Sequence, residues 1–272
     1  MKSLITDNEK YDCVGILDAD YILYHCTYFK KEEREKYKEL GREIQLEDCI
    51  DKLHSILKGV IENSGISHLV GTLTKSRSNT FRKKLNSEYK GNRKVEKADF
   101  FKECKDYMVE ELNFIEVDNL EADDIVNIYY NHFDKYFVNS IRISPDKDVY
   151  NLEGTNFNPV KNEFKTINKK EASLFFWSSM IIGDSADNIK GIPRKGEKFV
   201  ENFFFEETKL GISLEINKNL RTKVFELYTS HFGEMEGIEE FYKNYKMLKI
   251  LEEKEEIIDI HNIKSVEDIK LW

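Results

Sequence analysis

The sequence predicts an α/β fold: a mostly parallel sheet with helices on both faces, continued by a helical C-terminal part. Three observations carry that prediction. Short apolar runs alternate with helically spaced ones as far as about residue 170. Several of these elements end or begin in small acidic groups. From Glu171 onward the pattern turns mainly helical. With 272 residues, 40% hydrophobic and 12% aromatic, the chain can pack one large domain or a core with a helical annex, and wholesale disorder is excluded. Three prolines leave no room for a proline-rich linker.

The elements follow in order. Cys13–Leu17 (CVGIL) reads as a buried strand that ends in Asp18-Ala19-Asp20. Ile50, Leu53, Leu57, Val60 and Ile61 share one face of a helix over 47–63. A second strand is predicted over His68–Leu73, then a helix over 100–112, a strand over 114–117 and a helix over 120–132. Ser140–Ile143 and Val149–Leu152 read as strands around a turn at Pro145. A helix over 171–182 is stopped by Gly183, and another is expected over 197–205. The expected division is an α/β core over 1–170, including a basic segment at 75–97, and a helical part over 171–272.

The net charge is −9, from 42 basic and 51 acidic residues. No apolar signal-peptide core opens the sequence, and no stretch has the length and apolarity of a membrane span. The four cysteines form no CxxC pair and read as buried or incidental thiols. These features fit a soluble, intracellular, cytoplasmic protein with no membrane partner.

Four acidic groups recur at element ends: Asp18/Asp20, Glu121/Asp123/Asp124, Asp146/Asp148 and Asp184/Asp187. Singly, such groups often cap turns or favour helix dipoles. Gathered at the carboxyl end of one sheet, where α/β folds bind ligands, they would repel each other without a cation. Oxygen donors of this kind suit Mg²⁺ or Mn²⁺, and no His/Cys spacing suggests zinc. Two such ions in an acidic site are apparatus for phosphodiester hydrolysis.

Against the acidic total, residues 75–97 hold nine basic residues and two acids. Lys75, Arg77, Arg82, Lys83, Lys84, Lys90, Arg93, Lys94 and Lys97 are interleaved with Phe81 and Tyr89. That composition fits a phosphate-tracking segment with aromatic stacking surfaces. A second candidate contact is the turn Gly191-Ile-Pro-Arg-Lys-Gly196, whose glycines would let a phosphate approach ahead of Lys198 and the following helix.

These residues resemble the flap endonuclease and 5′–3′ exonuclease family, most closely its phage-type members, including the phage enzymes called ribonuclease H. The resemblance runs over about 13–205. It is carried by Leu17-Asp-Ala-Asp20, Glu88-Tyr-Lys-Gly-Asn-Arg93, Leu120-Glu-Ala-Asp-Asp124, Ser144-Pro-Asp-Lys-Asp148 and Gly183-Asp-Ser-Ala-Asp-Asn-Ile-Lys-Gly191. It implies a PIN-like fold with a helical arch and a duplex-gripping helix–three-turn–helix element that often holds K⁺. By resemblance, Asp18, Glu121, Asp123 and Asp124 serve a first metal ion; Asp146, Asp148, Asp184 and Asp187 serve a second. Lys90 and Arg82 match catalytic cations at the scissile phosphate, and Gly191 and Gly196 match the gripping turn.

Similar enzymes carry another Asp just after the second strand, where this chain reads Gly71-Thr-Leu-Thr74, and often a basic residue where it has Ser179. Asp20 is the candidate to restore the missing charge; the other reading makes it a cap for a helix beginning at Tyr21. The implied function is a structure-selective, divalent-metal-dependent 5′-nuclease of DNA replication, monomeric, acting on branched or 5′-ended DNA or an RNA–DNA hybrid, with replication proteins as partners. The alternatives are a catalytically weak DNA-binding accessory protein of the same fold and a PIN-type single-stranded ribonuclease.

Overall fold

The computed structural model describes residues 13–93, 98–134, 139–209 and 214–253. Lys94 and Lys97, counted in the basic segment, lie outside the described residues. The chain forms two compact units. One comprises Met1–Lys75, Val95–Asp146 and Thr155–Lys165; the other comprises Ser76–Lys94, Lys147–Gly154 and Thr166–Trp272. The middle of the basic segment, Ser76–Lys94, thus falls in the helical unit, while Lys75 falls in the sheet unit.

The sheet unit begins with β1 (Val14–Asp18), α1 (Asp20–Thr27), α2 (Lys31–Glu39), α3 (Leu46–Ser64) and β2 (His68–Leu73). In the other unit the chain forms α4 (Phe81–Leu85), then returns to the sheet unit for α5 (Phe101–Glu110), β3 (Ile115–Glu116), α6 (Ala122–Asp134) and β4 (Ser140–Ile143). β5 (Gly154–Asn158) and β6 (Glu163–Ile167) complete a six-stranded sheet of order β3-β2-β1-β4-β5-β6. β1 pairs in parallel with both β2 and β4, so successive connections leave it in opposite directions. That reversal makes the carboxyl end of β1 the switch point where α/β sheets place their ligands.

Alternation along β1 covers both faces of the sheet. Val14 and Ile16 pack against Val126, Tyr130 and Phe133 of α6. Leu17, with Ile141 and Ile143 of β4, faces the layer of α1, α3 and α5 through Ile22, Leu53, Leu57 and Met108. Cys26, Cys49 and Cys104 are fully buried in that layer; the Cys26 and Cys49 thiols donate to the carbonyls of Leu23 at 3.4 Å and Asp99 at 4.0 Å. Cys13 keeps partial exposure.

In the helical unit, α7 (Lys169–Ile182) leads into a two-stranded ribbon, β7 (Gly183–Asp184) and β8 (Ile189–Lys190), then α8 (Glu197–Phe203), α9 (Phe205–Lys209), α10 (Leu214–Phe232) and α11 (Glu234–Leu248). Phe176, Trp177 and Met180 of α7 meet Val224 and Tyr228 of α10 and Phe241 and Tyr245 of α11. Trp177 Nε1 donates to Asn217 Oδ1 at 2.7 Å, so the buried indole keeps its partner. No helix among the described residues is long and apolar enough to cross a membrane.

The α/β class and the helical continuation agree with expectation, and one predicted strand does not. Residues 147–151 form a 3₁₀ helix, because burying Val149 and Leu152, three apart, suits a three-residue turn rather than a pleat. β5, β6 and α2 went unforeseen; α2 (KEEREKYKE) has no buried residue and so no apolar stripe to read.

Gly237 of α11 faces α10 so closely that an added Cβ would lie 2.5 Å from Thr229 Cα and 2.7 Å from the Tyr228 carbonyl oxygen. On an open helix face Gly→Ala gains about 1 kcal/mol. Here the clash with backbone should win, and Gly237→Ala is expected to lose about 1–3 kcal/mol in a denaturant titration. A gain in stability would show that α10 and α11 can separate without cost.

Candidate nuclease site

In the sheet unit, β1 delivers Asp18 to the switch point. Its Oδ1 accepts from the Asp20 N–H at 3.2 Å and its Oδ2 from the Ser144 hydroxyl, just past β4, at 3.3 Å. The side chain retains a little solvent contact but is enclosed by protein. Burial, then the charges of Asp20 and Asp146, push its carboxyl up to about 7, against the pull of those two donors. Burial and the Asp18 charge likewise raise the Tyr21 hydroxyl. Asp146 is exposed, with its N–H donating to Ser144 Oγ at 3.2 Å.

The start of α6 presents a second group. Carboxylate oxygens of Glu121, Asp123 and Asp124 lie within 4.8 Å of one another, and Glu121 and Asp124 are buried. Asp124 Oδ2 accepts from the Glu121 N–H, and Asp123 Oδ1 from the Asp124 N–H at 2.7 Å. The positive end of the α6 dipole moderates their repulsion.

Two threonines join these acidic segments, at the place where an acid was expected. The Thr72 hydroxyl lies 3.0 Å from the Leu17 carbonyl and 3.2 Å from that of Ala122. Thr74 Oγ1 accepts from the Ala122 N–H at 3.0 Å, and the Thr74 N–H donates to Asp20 Oδ1 at 3.0 Å. Asp20 is the first residue of α1, whose N-cap position falls on Ala19. Its side chain therefore ties the β1 exit to the β2 exit, a role that neither the capping nor the metal reading included. Sequence reading passed over Thr72, Thr74 and Ser144, because their partners are fixed only by the sheet.

The helical unit brings two distant motifs together. Asp187, on the ribbon, accepts from the Tyr89 hydroxyl at 2.8 Å, lies 3.5 Å from Lys90 Nζ and forms an ion pair with Arg93. The Lys90 N–H donates to the Asp187 carbonyl at 2.9 Å, Asn92 Nδ2 to the Ser185 carbonyl at 2.8 Å and Asn188 Nδ2 to the Glu88 carbonyl at 2.8 Å. Asp184 is buried and accepts from the Ala186 N–H. Asp148 sits in the 3₁₀ helix.

Other candidates take different positions from those expected. Arg82 is only 2% exposed; its guanidinium donates to the carbonyls of Met247 and Lys249 at 3.0 and 2.6 Å, fastening α4 to the end of α11. Tyr89 and Phe81, read as stacking surfaces, are 3% and 1% exposed, so their rings fill the protein interior instead. Lys83 bonds the Ser87 and Tyr89 carbonyls. Lys75, Arg77 and Lys84 are exposed, and Lys75 pairs with Asp118 at 3.0 Å. Gly191 is required by an internal approach, since a Cβ there would lie 2.2 Å from the Ile182 carbonyl carbon. At Gly196 the space is open, with Lys198 exposed two residues later.

The fold has known counterparts. The profile of the family described as 5′-3′ exonuclease, N-terminal resolvase-like domain, matches residues 14–175. No curated protein matches the chain in sequence. Among solved structures, a bacteriophage T5 protein co-crystallised with metal ions superposes with a TM-score of 0.53 at 16% identity, over 87% of this chain and 100% of that one. The bacteriophage T5 flap endonuclease in a pseudo-enzyme–product complex with DNA and metal ions gives 0.50 at 14%, over 87% and 99%. A mutant of the T5 5′-exonuclease gives 0.51 at 16%, over 92% and 99%. These likenesses are of fold, whereas the family profile spans more than half of the sequence together with the acids of β1, α6 and the β4 exit. The chain belongs to the 5′–3′ exonuclease family and is a nuclease, a hydrolase of phosphodiester bonds.

Proposed function

We propose that this nuclease is a divalent-metal-dependent, structure-selective 5′-nuclease that cuts branched or 5′-ended DNA during replication and removes flaps or RNA primers. The observation that carries the metal reading is the trio Glu121, Asp123 and Asp124 at the start of α6, two of them buried. Burial first, and then the charges of Asp20 and Asp146, hold the Asp18 carboxyl up to about 7 at the β1 exit. All-oxygen donors fit a hard cation such as Mg²⁺ or Mn²⁺. The T5 structures with metal ions and DNA are consistent with this chemistry.

Asp18, Asp20, Glu121, Asp123 and Asp124 are the candidates for one ion. The acids that the resemblance assigns to a second ion divide between the units: Asp146 belongs to the sheet unit, and Asp148, Asp184 and Asp187 belong to the helical unit. A divalent ion bound to such carboxylates makes a coordinated water more acidic and offsets charge on phosphoryl oxygens. Lys90 is the stronger candidate of the two expected catalytic cations, because its side chain is partly exposed whereas the Arg82 guanidinium is occupied with carbonyls. The exposed Lys75, Arg77 and Lys84, with Arg93, would track the phosphate backbone, and the open Gly196 turn with Lys198 is the candidate duplex and K⁺ contact. Such contacts read backbone shape and not bases.

Cleavage of labelled 5′-flap, nicked, RNA-primed and single-stranded RNA substrates in Mg²⁺ tests the reading. Flap and 5′-ended duplexes should be cut. Asp123→Asn with Asp124→Asn should slow cutting by about a hundredfold or more, the scale of several kcal/mol of lost charge stabilisation. Equal rates overturn the metal assignment; preference for single-stranded RNA makes the chain a PIN-type ribonuclease, and duplex binding without cutting makes it an accessory protein.

Asp18 gives a pH signature. Its folded pKa lies above the ordinary value near 4, so the folded protein holds that proton more tightly than the unfolded chain. Its contribution to metal-free stability is greatest below about pH 4 and is lost as pH rises through about 7. Asp18→Asn should therefore melt higher than wild type at neutral pH without metal, by an amount on the order of a few kcal/mol at most. Added Mg²⁺ should narrow the difference; a lower melting temperature for Asp18→Asn in metal-free buffer at neutral pH would contradict the electrostatic account.

The two cations should separate cleanly. Lys90→Ala should lower kcat by roughly 10²–10³ with little change in melting temperature, as for loss of a preorganised charge. Arg82→Ala, which removes a buried guanidinium's hydrogen bonds to two carbonyls, should cost about 1–3 kcal/mol of stability. Thermal melts and single-turnover cleavage on both variants decide the assignment.

A further inference from the structure

Thr74 makes three polar contacts, each with a different element of the sheet unit. Its hydroxyl oxygen accepts from the Ala122 N–H at 3.0 Å, at the first residue of α6 and between Glu121 and Asp123. Its N–H donates to Asp20 Oδ1 at 3.0 Å, at the first residue of α1. Its carbonyl accepts from Lys105 Nζ of α5 at 2.9 Å. Lys105 also reaches the Lys75 carbonyl at 2.7 Å and pairs with Glu116 of β3 at 2.6 Å. The Thr74 side chain is buried, so water does not substitute readily for these bonds.

We propose that Thr74 is a positioning residue for divalent-cation binding: through its hydroxyl and its N–H it sets the spacing between the Asp20 carboxylate and the Glu121–Asp124 turn, with Lys105 holding it from behind. At the β2 exit this chain places a junction between the acids on either side. Groups that hold ligating side chains in place typically change metal affinity by about 10–100-fold when removed. Thr74→Val keeps the shape and the main-chain bonds but takes the acceptor from the Ala122 N–H; Thr74→Ser keeps that acceptor.

The inference rests on the divalent-cation reading, and the test separates the two. Mn²⁺ binding is measured by calorimetry on the full chain without DNA, beside thermal melts and cleavage over a Mg²⁺ titration. Wild type and Thr74→Ser should bind Mn²⁺ alike. Thr74→Val should bind about tenfold more weakly and need correspondingly more Mg²⁺ for half-maximal cleavage, with kcat recovered at saturation. A role in stability alone would lower the melting temperature and leave the Mn²⁺ affinity of the folded protein unchanged, which overturns the proposal. Absence of Mn²⁺ binding by wild type overturns the cation reading and this inference together. Should Thr74→Val fail to fold, Lys105→Met, at a partly exposed side chain, probes the junction from its other side. It should weaken Mn²⁺ binding in the same direction, and unchanged affinity there refutes the proposal equally.

Discussion

A carboxylate at the end of a buried central strand resists ionisation, and the sheet unit is arranged around that resistance. Asp18 is enclosed because β1 is flanked by parallel strands on both sides and covered by helices on both faces. Asp20 and Asp146 add to the potential. Among the described residues the partners of Asp18 are dipoles, an amide and a serine hydroxyl, while the start of α6 faces its own acids. Dipoles fix positions while leaving the charge itself uncancelled, and an uncancelled charge is what a cation can use.

The helical unit follows a different electrostatic logic. Asp187 is surrounded by a hydroxyl, an ammonium and a guanidinium drawn from residues 89–93. These contacts organise the only part of the basic segment that meets an acid of the ribbon among the described residues. Arg82 secures the same segment at its other end by holding two carbonyls. The segment is therefore pinned at both ends by groups that a composition count would assign to phosphate binding.

How far the sequence could be read follows from how local each signal is. β1, β2, α3 and α6 announce themselves by alternation or helical spacing, and two of the acidic groups stand at the end of β1 and the start of α6. The motifs at 88–93 and 183–191 were visible as motifs, but that they clasp each other depends on a contact between residues 98 positions apart. The partners of Arg82 lie 165 and 167 positions away, so its tether had no local trace. The burial of Tyr89 and Phe81 was hidden for the same reason, since an aromatic among cations reads alike whether it faces solvent or core. Thr72 and Thr74 looked like the absence of an acid; only the register of β1 against β2 reveals them as a link between acidic segments.

The burial of three thiols between α1, α3 and α5, with Cys13 alone partly exposed, has a practical side. A maleimide dye offered to the folded protein meets a single accessible thiol. That sulfur precedes β1, at the opposite end of the strand from Asp18, so a reporter attached there sits a strand's length from the acids. The native sequence thus supplies its own labelling address for fluorescence work, without prior removal of cysteines.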